Sequence, residues 1–245
     1  MTSSTSKVAV ITGGSRGIGR AVAEALIKRG DMVVIGDMLD KEGQALVDRF
    51  NEEAQRKVSA YVHTDVTKYA DLKRLFAVAA SDFGGVDIAV LNAGIASNGN
   101  ALFTPMDDDR EMDIFNVNIG GIVRGTKVAL MHMIKRGGGV ILMLVDTDLM
   151  TMPRDIEPYK TLHRVAPKVA MGTVVEAFLK CINNETLTGG ALLALPDGVH
   201  HAPPSKSPDC CYNKETTEIY LKLDEQETAD AKQRLTELSR RFHEE

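Results

Sequence analysis

The sequence predicts an α/β fold in which a parallel β-sheet is covered by helices on both faces. Short apolar runs rich in β-branched residues alternate repeatedly with longer amphipathic stretches over residues 7–145. A glycine-rich turn joins the first apolar run to the first amphipathic stretch. The chain has 245 residues, 44% of them hydrophobic, which is enough for one domain with a full core.

The first part of the chain follows this alternation element by element. Gly30 is expected to end the first helix, Asp40 to cap the second, and the last helix has an acidic start and a basic end, as the helix dipole favours. Such an order predicts a doubly wound parallel sheet. The predicted strands are residues 7–12, 32–37, 58–66, 86–94 and 140–145, and the predicted helices are residues 19–30, 40–57, 69–85 and 107–139.

The alternation weakens after residue 145. Residues 146–167 show no clear periodicity and contain three prolines, whereas residues 167–183 predict a helix and residues 189–198 a last strand and turn. A Pro- and Ser-rich loop then leads to a polar helical tail. We therefore predict a main domain of residues 1–199 and a loop with a helical tail of residues 200–245. The sparse apolar stripe of the tail indicates either a helix docked lightly on the domain or a helix that binds a partner.

Charge and cysteine usage exclude several classes of function. A formal net charge of -5 gives no general attraction to nucleic acid or to anionic membranes. The apolar runs are too short for a membrane helix, and the N-terminal MTSSTSK lacks the apolar region of a signal peptide. Cys181, Cys210 and Cys211 form neither a disulfide framework nor a zinc motif. We expect reduced thiols, no metal site and a cytoplasmic protein.

The glycine-rich stretch TGGSRGIG occupies residues 12–19, between the first predicted strand and the first helix. Glycines permit a tight turn and a close approach to a pyrophosphate, and the helix N-terminus offers free N–H groups to that anion. In this context the motif predicts a Rossmann-type dinucleotide site. The residues expected to bind the cofactor here are Thr12, Gly13, Ser15, Arg16, Gly17, Ile18 and Gly19.

Asp37 ends the second predicted strand, about 20 residues after the glycine-rich turn. A carboxylate at this place can accept a hydrogen bond from a ribose 2′-hydroxyl and repels a 2′-phosphate. Arg16 favours a phosphate, but the segment from Asp37 through Met38 to Asp40 contains no base. The sequence therefore predicts NAD rather than NADP, with Asp37 and Met38 at the ribose.

Four ordered motifs resemble those of the short-chain dehydrogenase/reductase family: TGGSRGIG (12–19), TDV (64–66), NAG (92–94) and NVN (116–118). The resemblance implies NAD-dependent hydride transfer between a secondary alcohol and a ketone. The ending GVHHAPP (198–204) is most similar to the 15-hydroxyprostaglandin-dehydrogenase-like branch. The site residues that the resemblance implies are Asp65 and Val66 near the adenine ring, Asn92, Ala93 and Gly94 beside the cofactor ribose, and Asn118 as a helix-kinking residue of the active site.

The resemblance does not extend to the family's catalytic segment, a Ser followed by Tyr-x-x-x-Lys. Counting from Asn118 aligns Asp146 with the Ser, Tyr159 with the Tyr and His163 with the Lys, so that two of the three roles change chemistry. In that alignment Tyr159 is the acid, with His163 as the group that tunes it.

A second alignment follows local sequence and is the one we prefer. LVDTDLM (144–150) looks like the family's segment after its sixth strand, which makes Thr147 the residue that contacts the nicotinamide amide. Tyr159 then belongs to the substrate loop. Either alignment leaves the parallel sheet shortened by about one strand–helix unit, of the order of 30 residues.

Two main functions remain open from the sequence. One is an NAD-dependent oxidoreductase acting on a small hydrophobic alcohol or ketone, a preference suggested by Leu149, Met150 and Met152. The other is a non-catalytic NAD-binding protein derived from the family, as a truncated or splice form. A different chemistry on the same fold, using Asp146, Tyr159 and His163, is a further alternative. A homo-oligomer stays open, although the helix that usually completes the family's dimer is missing.

Overall fold

The computed structural model describes residues 6–95, 112–144, 168–184, 186–187 and 190–202, and in the tail residues 226, 228, 230–231 and 233–243. The predictions for Thr147 and Tyr159, and the alternatives at Asp146 and His163, concern residues outside these ranges.

A parallel sheet of five strands forms the centre of the described structure, as the sequence predicts. Its spatial order is β3-β2-β1-β4-β5, so the chain first builds outward from β1 and then continues on the other side of β1. All neighbouring strands of this sheet run parallel. The strands are β1 (Val8–Thr12), β2 (Met32–Asp37), β3 (Ser59–His63), β4 (Ile88–Leu91) and β5 (Val140–Met143).

Helices cover both faces of the sheet. Apolar side chains of α1, α2 and α6 pack on one face, and those of α3 and α5 pack on the other. Every residue of β1 and β4 is buried, which is why these strands read as continuous apolar runs. The helices are α1 (Gly17–Arg29), α2 (Asp40–Ala54), α3 (Tyr69–Phe83), α4 (Asp113–Asn118), α5 (Gly120–Met133) and α6 (Met171–Asn183).

The helix predicted for residues 107–139 is divided within the part that the structure describes. It breaks at Asn118 and Ile119 and ends in a short 3₁₀ turn, Ile134–Arg136. The Asn118 side chain accepts a hydrogen bond from Ile95 N and donates one to Ile95 O, each at 2.9 Å. The break lies at Asn118, where the family resemblance implies a helix kink, and this tertiary contact accompanies it.

Asp40 does not cap α2 as predicted. The helix begins at Asp40 itself, Leu39 stands at the N-cap position, and no side chain makes a capping hydrogen bond there. The Asp40 carboxylate instead contacts Tyr61 and His63 of β3. The Asp40 carboxylate therefore contacts side chains of β3, whereas a capping Asp contacts the backbone N–H groups of its own helix.

The last predicted strand forms a separate antiparallel hairpin of β6 (Ala191–Leu195) and β7 (Gly198–Ala202). The intervening Pro196 and Asp197, followed by Gly198 at φ 138°, form the reversal. The hairpin packs against α6. β7 continues to Ala202 and so crosses the predicted boundary between the main domain, residues 1–199, and the tail. That boundary stays a prediction.

The tail docks on the face formed by α3 and α5. Ser239 is buried and donates a hydrogen bond to Met131 O at 3.1 Å. Phe242 packs against the apolar cluster of that face, with Lys73 Nζ 4.9 Å from its ring centroid. None of the described helices has the length and apolar character needed to cross a membrane.

Candidate nucleotide-binding site

The carboxyl ends of β1, β2 and β4 bring three predicted site segments together. Thr12 pairs in register with Gly36 on one side and with Leu91 on the other. The next residue of each strand, Gly13, Asp37 and Asn92, therefore follows at the same edge of the sheet. This edge lies where the strand order reverses direction, the usual position of ligand sites in such sheets.

The glycine-rich turn needs glycine at specific positions. Gly13 has φ 65°, and a Cβ added there would lie 2.8 Å from Ala93 Cα. A Cβ at Gly19 would overlap the Gly13 carbonyl oxygen. Gly17 has φ 58° and no atom within 4 Å of an added Cβ, so its backbone faces open space. The loop is thus tight against β4 and open at the start of α1, which fits a cradle for a pyrophosphate.

Thr12 and Asn92 hold this loop in place. The Thr12 hydroxyl accepts hydrogen bonds from Asn92 N and Ala93 N, both at 3.1 Å. The Asn92 amide group donates to Thr12 O at 3.1 Å and to Gly13 O at 2.9 Å. The Asn92 amide group therefore fixes the backbone at the start of the glycine loop. Gly94 is exposed at the edge of the sheet.

Asp37 joins the glycine loop to the loop that follows β2. Its Oδ2 accepts a hydrogen bond from Ser15 N at 3.0 Å, and its Oδ1 accepts one from Leu39 N at 3.2 Å. Each oxygen keeps further acceptor capacity, so the half-buried carboxylate can still receive the two hydroxyls of a ribose. The Ser15 hydroxyl is buried and has no hydrogen-bond partner among the described residues.

Asp65 and Val66, predicted near an adenine ring, form a tight turn before α3. The Asp65 carboxylate accepts hydrogen bonds from Thr67 N at 2.9 Å and Thr67 Oγ1 at 2.7 Å, and pairs with Lys68. Burial opposes its ionisation, but these partners together hold the pKa of Asp65 below its ordinary value. Val66 is buried next to Gly121 of α5.

Other predicted residues lie at the rim. Arg16 is exposed, and Met38 is 62% exposed beside Asp37. Asn118 lies at the break between α4 and α5 and is tied to Ile95, one residue after the NAG turn. The structure thus brings the predicted cofactor residues among those it describes to one edge, with Asn118 next to them.

One tyrosine and lysine do occur at the family's spacing, but in another place. Tyr69 and Lys73 lie on α3, where Tyr69 is exposed and Lys73 is directed at Phe242 of the tail. Lys73 therefore contacts the tail through the ring of Phe242. Among the described residues, no group of three His, Cys, Asp or Glu side chains is arranged to hold a metal ion.

A cluster formed by Tyr61, His63 and Asp40 was not predicted from the sequence. The Tyr61 hydroxyl lies 2.7 Å from Asp37 O and 2.8 Å from Asp40 Oδ1. His63 Nδ1 lies 2.7 Å from the same Asp40 oxygen. The alternation within β3, which places Tyr61 and His63 on one face, is the signal that points to it.

Comparisons with known proteins place the chain among the short-chain dehydrogenases. The sequence model described as short chain dehydrogenase matches residues 7–147. The chain is 36% identical over 139 residues to trans-4-hydroxycyclohexanecarboxylate dehydrogenase of Sinomonas cyclohexanicum, covering 55% of this chain and 53% of that protein. It is 36% identical over 146 residues to short-chain dehydrogenase reductase ATA1 of Arabidopsis thaliana, covering 59% of this chain and 51% of that protein.

Solved structures show the same likeness. An alcohol dehydrogenase from the archaeon Thermococcus sibiricus, complexed with 5-hydroxy-NADP, is 29% identical with a TM-score of 0.51, covering 61% of this chain and 62% of that one. A short-chain type dehydrogenase/reductase from Mycobacterium marinum is 28% identical with a TM-score of 0.53, covering 63% and 62%.

The chain spans about half the length of the curated relatives it matches. The family match nevertheless covers more than half of this chain and includes the glycine loop, Asp37 and the NAG turn at the edge of the sheet. The chain belongs to the short-chain dehydrogenase family.

Proposed function

We propose that the chain binds NAD(H) at the carboxyl edge of its parallel sheet. The observation that carries this proposal is the position of Asp37, whose carboxylate bridges the glycine loop and the loop after β2 with acceptor capacity to spare. A vicinal ribose diol supplies matching donors, whereas a 2′-phosphate places negative charge beside a carboxylate. The open backbone at Gly17 supports the pyrophosphate position.

For the reaction, we propose hydride transfer between a secondary alcohol and a ketone, with NAD as the hydride carrier when bound. The family membership and the dehydrogenases among the relatives support this class. The proposed substrate is a small hydrophobic alcohol or ketone. Asn118 is proposed to position the active-site helices through Ile95. In the alignment counted from Asn118, Tyr159 is the proposed acid. The GVHHAPP ending supports a place in the 15-hydroxyprostaglandin-dehydrogenase-like branch.

We expect turnover to be impaired, because no Tyr-x-x-x-Lys follows β5 in the sequence. In the preferred alignment Thr147 contacts the nicotinamide amide and Tyr159 has no catalytic role. That absence favours the second candidate, a non-catalytic NAD-binding member of the family in a truncated or splice form. The remaining proposals are a cytoplasmic location, a dinucleotide-binding domain of residues 1–199 with a tail of residues 200–245, and no binding to nucleic acid or membrane.

Cofactor binding is tested by titrating NADH and NADPH and following nicotinamide fluorescence, which no tryptophan obscures because the chain has none. We expect saturable binding of NADH and weaker binding of NADPH. Asp37→Asn is expected to weaken NADH binding about tenfold, near 1.4 kcal/mol. Asp48→Asn, an exposed change on α2 away from the edge, is the matched control and should leave NADH binding unchanged. Failure of the wild-type chain to bind either nucleotide contradicts the proposal.

Catalysis is tested separately with a panel of hydrophobic secondary alcohols and NAD. Turnover that Tyr159→Phe abolishes supports Tyr159 as the acid. Turnover that survives Tyr159→Phe removes that role. NADH binding without turnover of any alcohol in the panel favours the non-catalytic candidate.

A further inference from the structure

The Tyr61–Asp40–His63 cluster clamps the loop of residues 37–40 beside the proposed ribose site. The Tyr61 hydroxyl has one proton and lies within hydrogen-bond distance of an oxygen at each end of the loop, Asp37 O at 2.7 Å and Asp40 Oδ1 at 2.8 Å. Asp37 and His63 are register partners in the β2–β3 pair, so the cluster is fixed to the sheet.

Asp40 stays ionised in this arrangement. The hydrogen bond with His63, and then that with Tyr61, holds the pKa of Asp40 below its ordinary value. Burial, followed by the nearby carboxylates of Asp40, Asp37 and Glu42, raises the pKa of Tyr61, so the phenol remains a donor. The cluster therefore presents an ordered, solvent-facing carboxylate close to Asp37.

The Asp37 carboxylate already accepts hydrogen bonds from two backbone N–H groups. The dipoles of these groups offset part of the repulsion between Asp37 and a second anion. Asp40 accepts no backbone N–H among its described contacts and is exposed. It adds a second negative charge close to Asp37, because the Tyr61 hydroxyl lies within hydrogen-bond distance of both residues. The groups of opposite sign around this end of the sheet are His63 when protonated, Arg74, which donates to His63 O, Lys41, which follows Asp40 in α2, and Arg16 in the glycine loop.

We propose that Asp40, held by Tyr61, is a specificity-determining residue that makes the site accept an adenosine ribose with a free 2′-hydroxyl and reject a 2′-phosphate. This inference rests on the proposed function, since it concerns the same nucleotide site. It assigns the selectivity to two carboxylates, with Tyr61 as the positioning residue of the second.

The experiment measures the binding of ADP-ribose and 2′-phospho-ADP-ribose by calorimetry, so that neither nicotinamide nor turnover enters. In Asp40→Asn we expect the dissociation constant of 2′-phospho-ADP-ribose to fall about three- to tenfold, with that of ADP-ribose unchanged within twofold. Added salt should reduce the selectivity of the wild-type chain and have a smaller effect in this variant. Asp40→Glu keeps the charge and should keep the selectivity.

Tyr61→Phe removes the clamp while keeping the ring. We expect ADP-ribose binding to weaken about threefold and the selectivity against the 2′-phosphate to fall, because Asp40 is no longer held. Thermal unfolding is measured for each variant, so that a loss of folding is not read as a loss of selectivity.

The outcomes separate this inference from the function on which it rests. If the wild-type chain binds neither nucleotide, the proposed function fails. If it binds ADP-ribose and Asp40→Asn keeps the full selectivity, the inference is overturned while the function stands. A change in Asp48→Asn as large as that in Asp40→Asn also overturns it, since net charge alone would then explain the effect.

Discussion

At the scale of single residues, the glycine loop requires glycine where an added Cβ would clash with neighbouring atoms. Gly19 lies inside α1, where a helix tolerates alanine, yet its Cβ would overlap the Gly13 carbonyl oxygen and approach Asn92 Nδ2 at 2.6 Å. The clash involves backbone that Asn92 and β4 hold in place. Gly19 is therefore required by packing, in addition to any contact with a ligand.

Gly19→Ala is expected to lower the free energy of unfolding by about 1–3 kcal/mol, the usual range for overpacking a tight site. Gly172→Ala in α6 is the matched control, because nothing lies within 4 Å of an added Cβ there. That control should be neutral or raise stability by up to about 1 kcal/mol. Urea unfolding of the two variants measures both values, and equal stability of Gly19→Ala and the wild-type chain would refute the packing argument.

The sequence supplies much of the candidate site at this scale. The glycine loop and Asp37 follow from motif and spacing, because both depend on local strand–turn–helix order. The Tyr61–Asp40–His63 cluster does not, because it requires the register that places His63 beside Asp37. Asp40 was predicted as a helix cap for the same reason: a local partner can be inferred from sequence, whereas a cross-strand partner cannot.

At the scale of elements, α3, α5 and the tail helix meet around His132. This imidazole is nearly buried, with ring centroids of Phe76 at 5.7 Å, Phe242 at 5.8 Å and His243 at 5.2 Å. Burial, then the charges of His243 and Lys135, lowers the pKa of His132 to about 4. On α3, Lys73 contributes a further positive charge near Phe242.

This contact predicts acid sensitivity of the tail packing. The pKa of His132 is 6.5 in the unfolded chain and about 4 in the folded chain, so the unfolded chain binds more protons between these pH values. The contribution is therefore fully present above pH 6.5 and is lost as pH falls towards about 4. Between pH 7 and pH 5 the loss is about 2 kcal/mol.

Urea unfolding at pH 7 and pH 5 measures this loss. His132→Phe should lose about 2 kcal/mol less than the wild-type chain over that interval, because the apolar ring does not titrate. His201→Gln, at an exposed position on β7, is the control and should behave like the wild-type chain. Identical pH dependence of His132→Phe and wild type would exclude His132 as the source.

The sequence predicted which helices and strands exist in the parallel sheet region. It predicted less well where they begin and end and which strands pair. The strands of the parallel sheet were found because buried strands read as apolar runs bounded by turns. The apolar pattern predicted one continuous helix over residues 107–139, and only the family resemblance implied a kink at Asn118. The pattern could not show the break because it accompanies a tertiary contact with Ile95. The hairpin of β6 and β7 was missed because its second strand begins at Gly198, which reads as a turn residue.

At the scale of the whole molecule, the described structure contains the parallel sheet and the glycine loop with which the family binds its cofactor. The sheet order reverses at β1 and β4, and the glycine loop, Asp37 and Asn92 meet at that point. A stripe of exposed apolar side chains runs along α4 and α5, at Met112, Phe115, Ile119 and Val123. The residues proposed to bind the nucleotide thus lie within the described structure except for Thr147, whereas the proposed acid Tyr159 lies outside it.

The most direct test of the central claim is hydrogen–deuterium exchange with and without NADH. We predict slower exchange confined to residues 12–19, 37–40, 64–66 and 92–95, because these backbone segments border the proposed site at the carboxyl edge of the sheet. The β6–β7 hairpin should exchange equally in both states. Unchanged exchange at residues 12–19 under saturating NADH, or protection elsewhere alone, would contradict the claim that this edge binds the nucleotide.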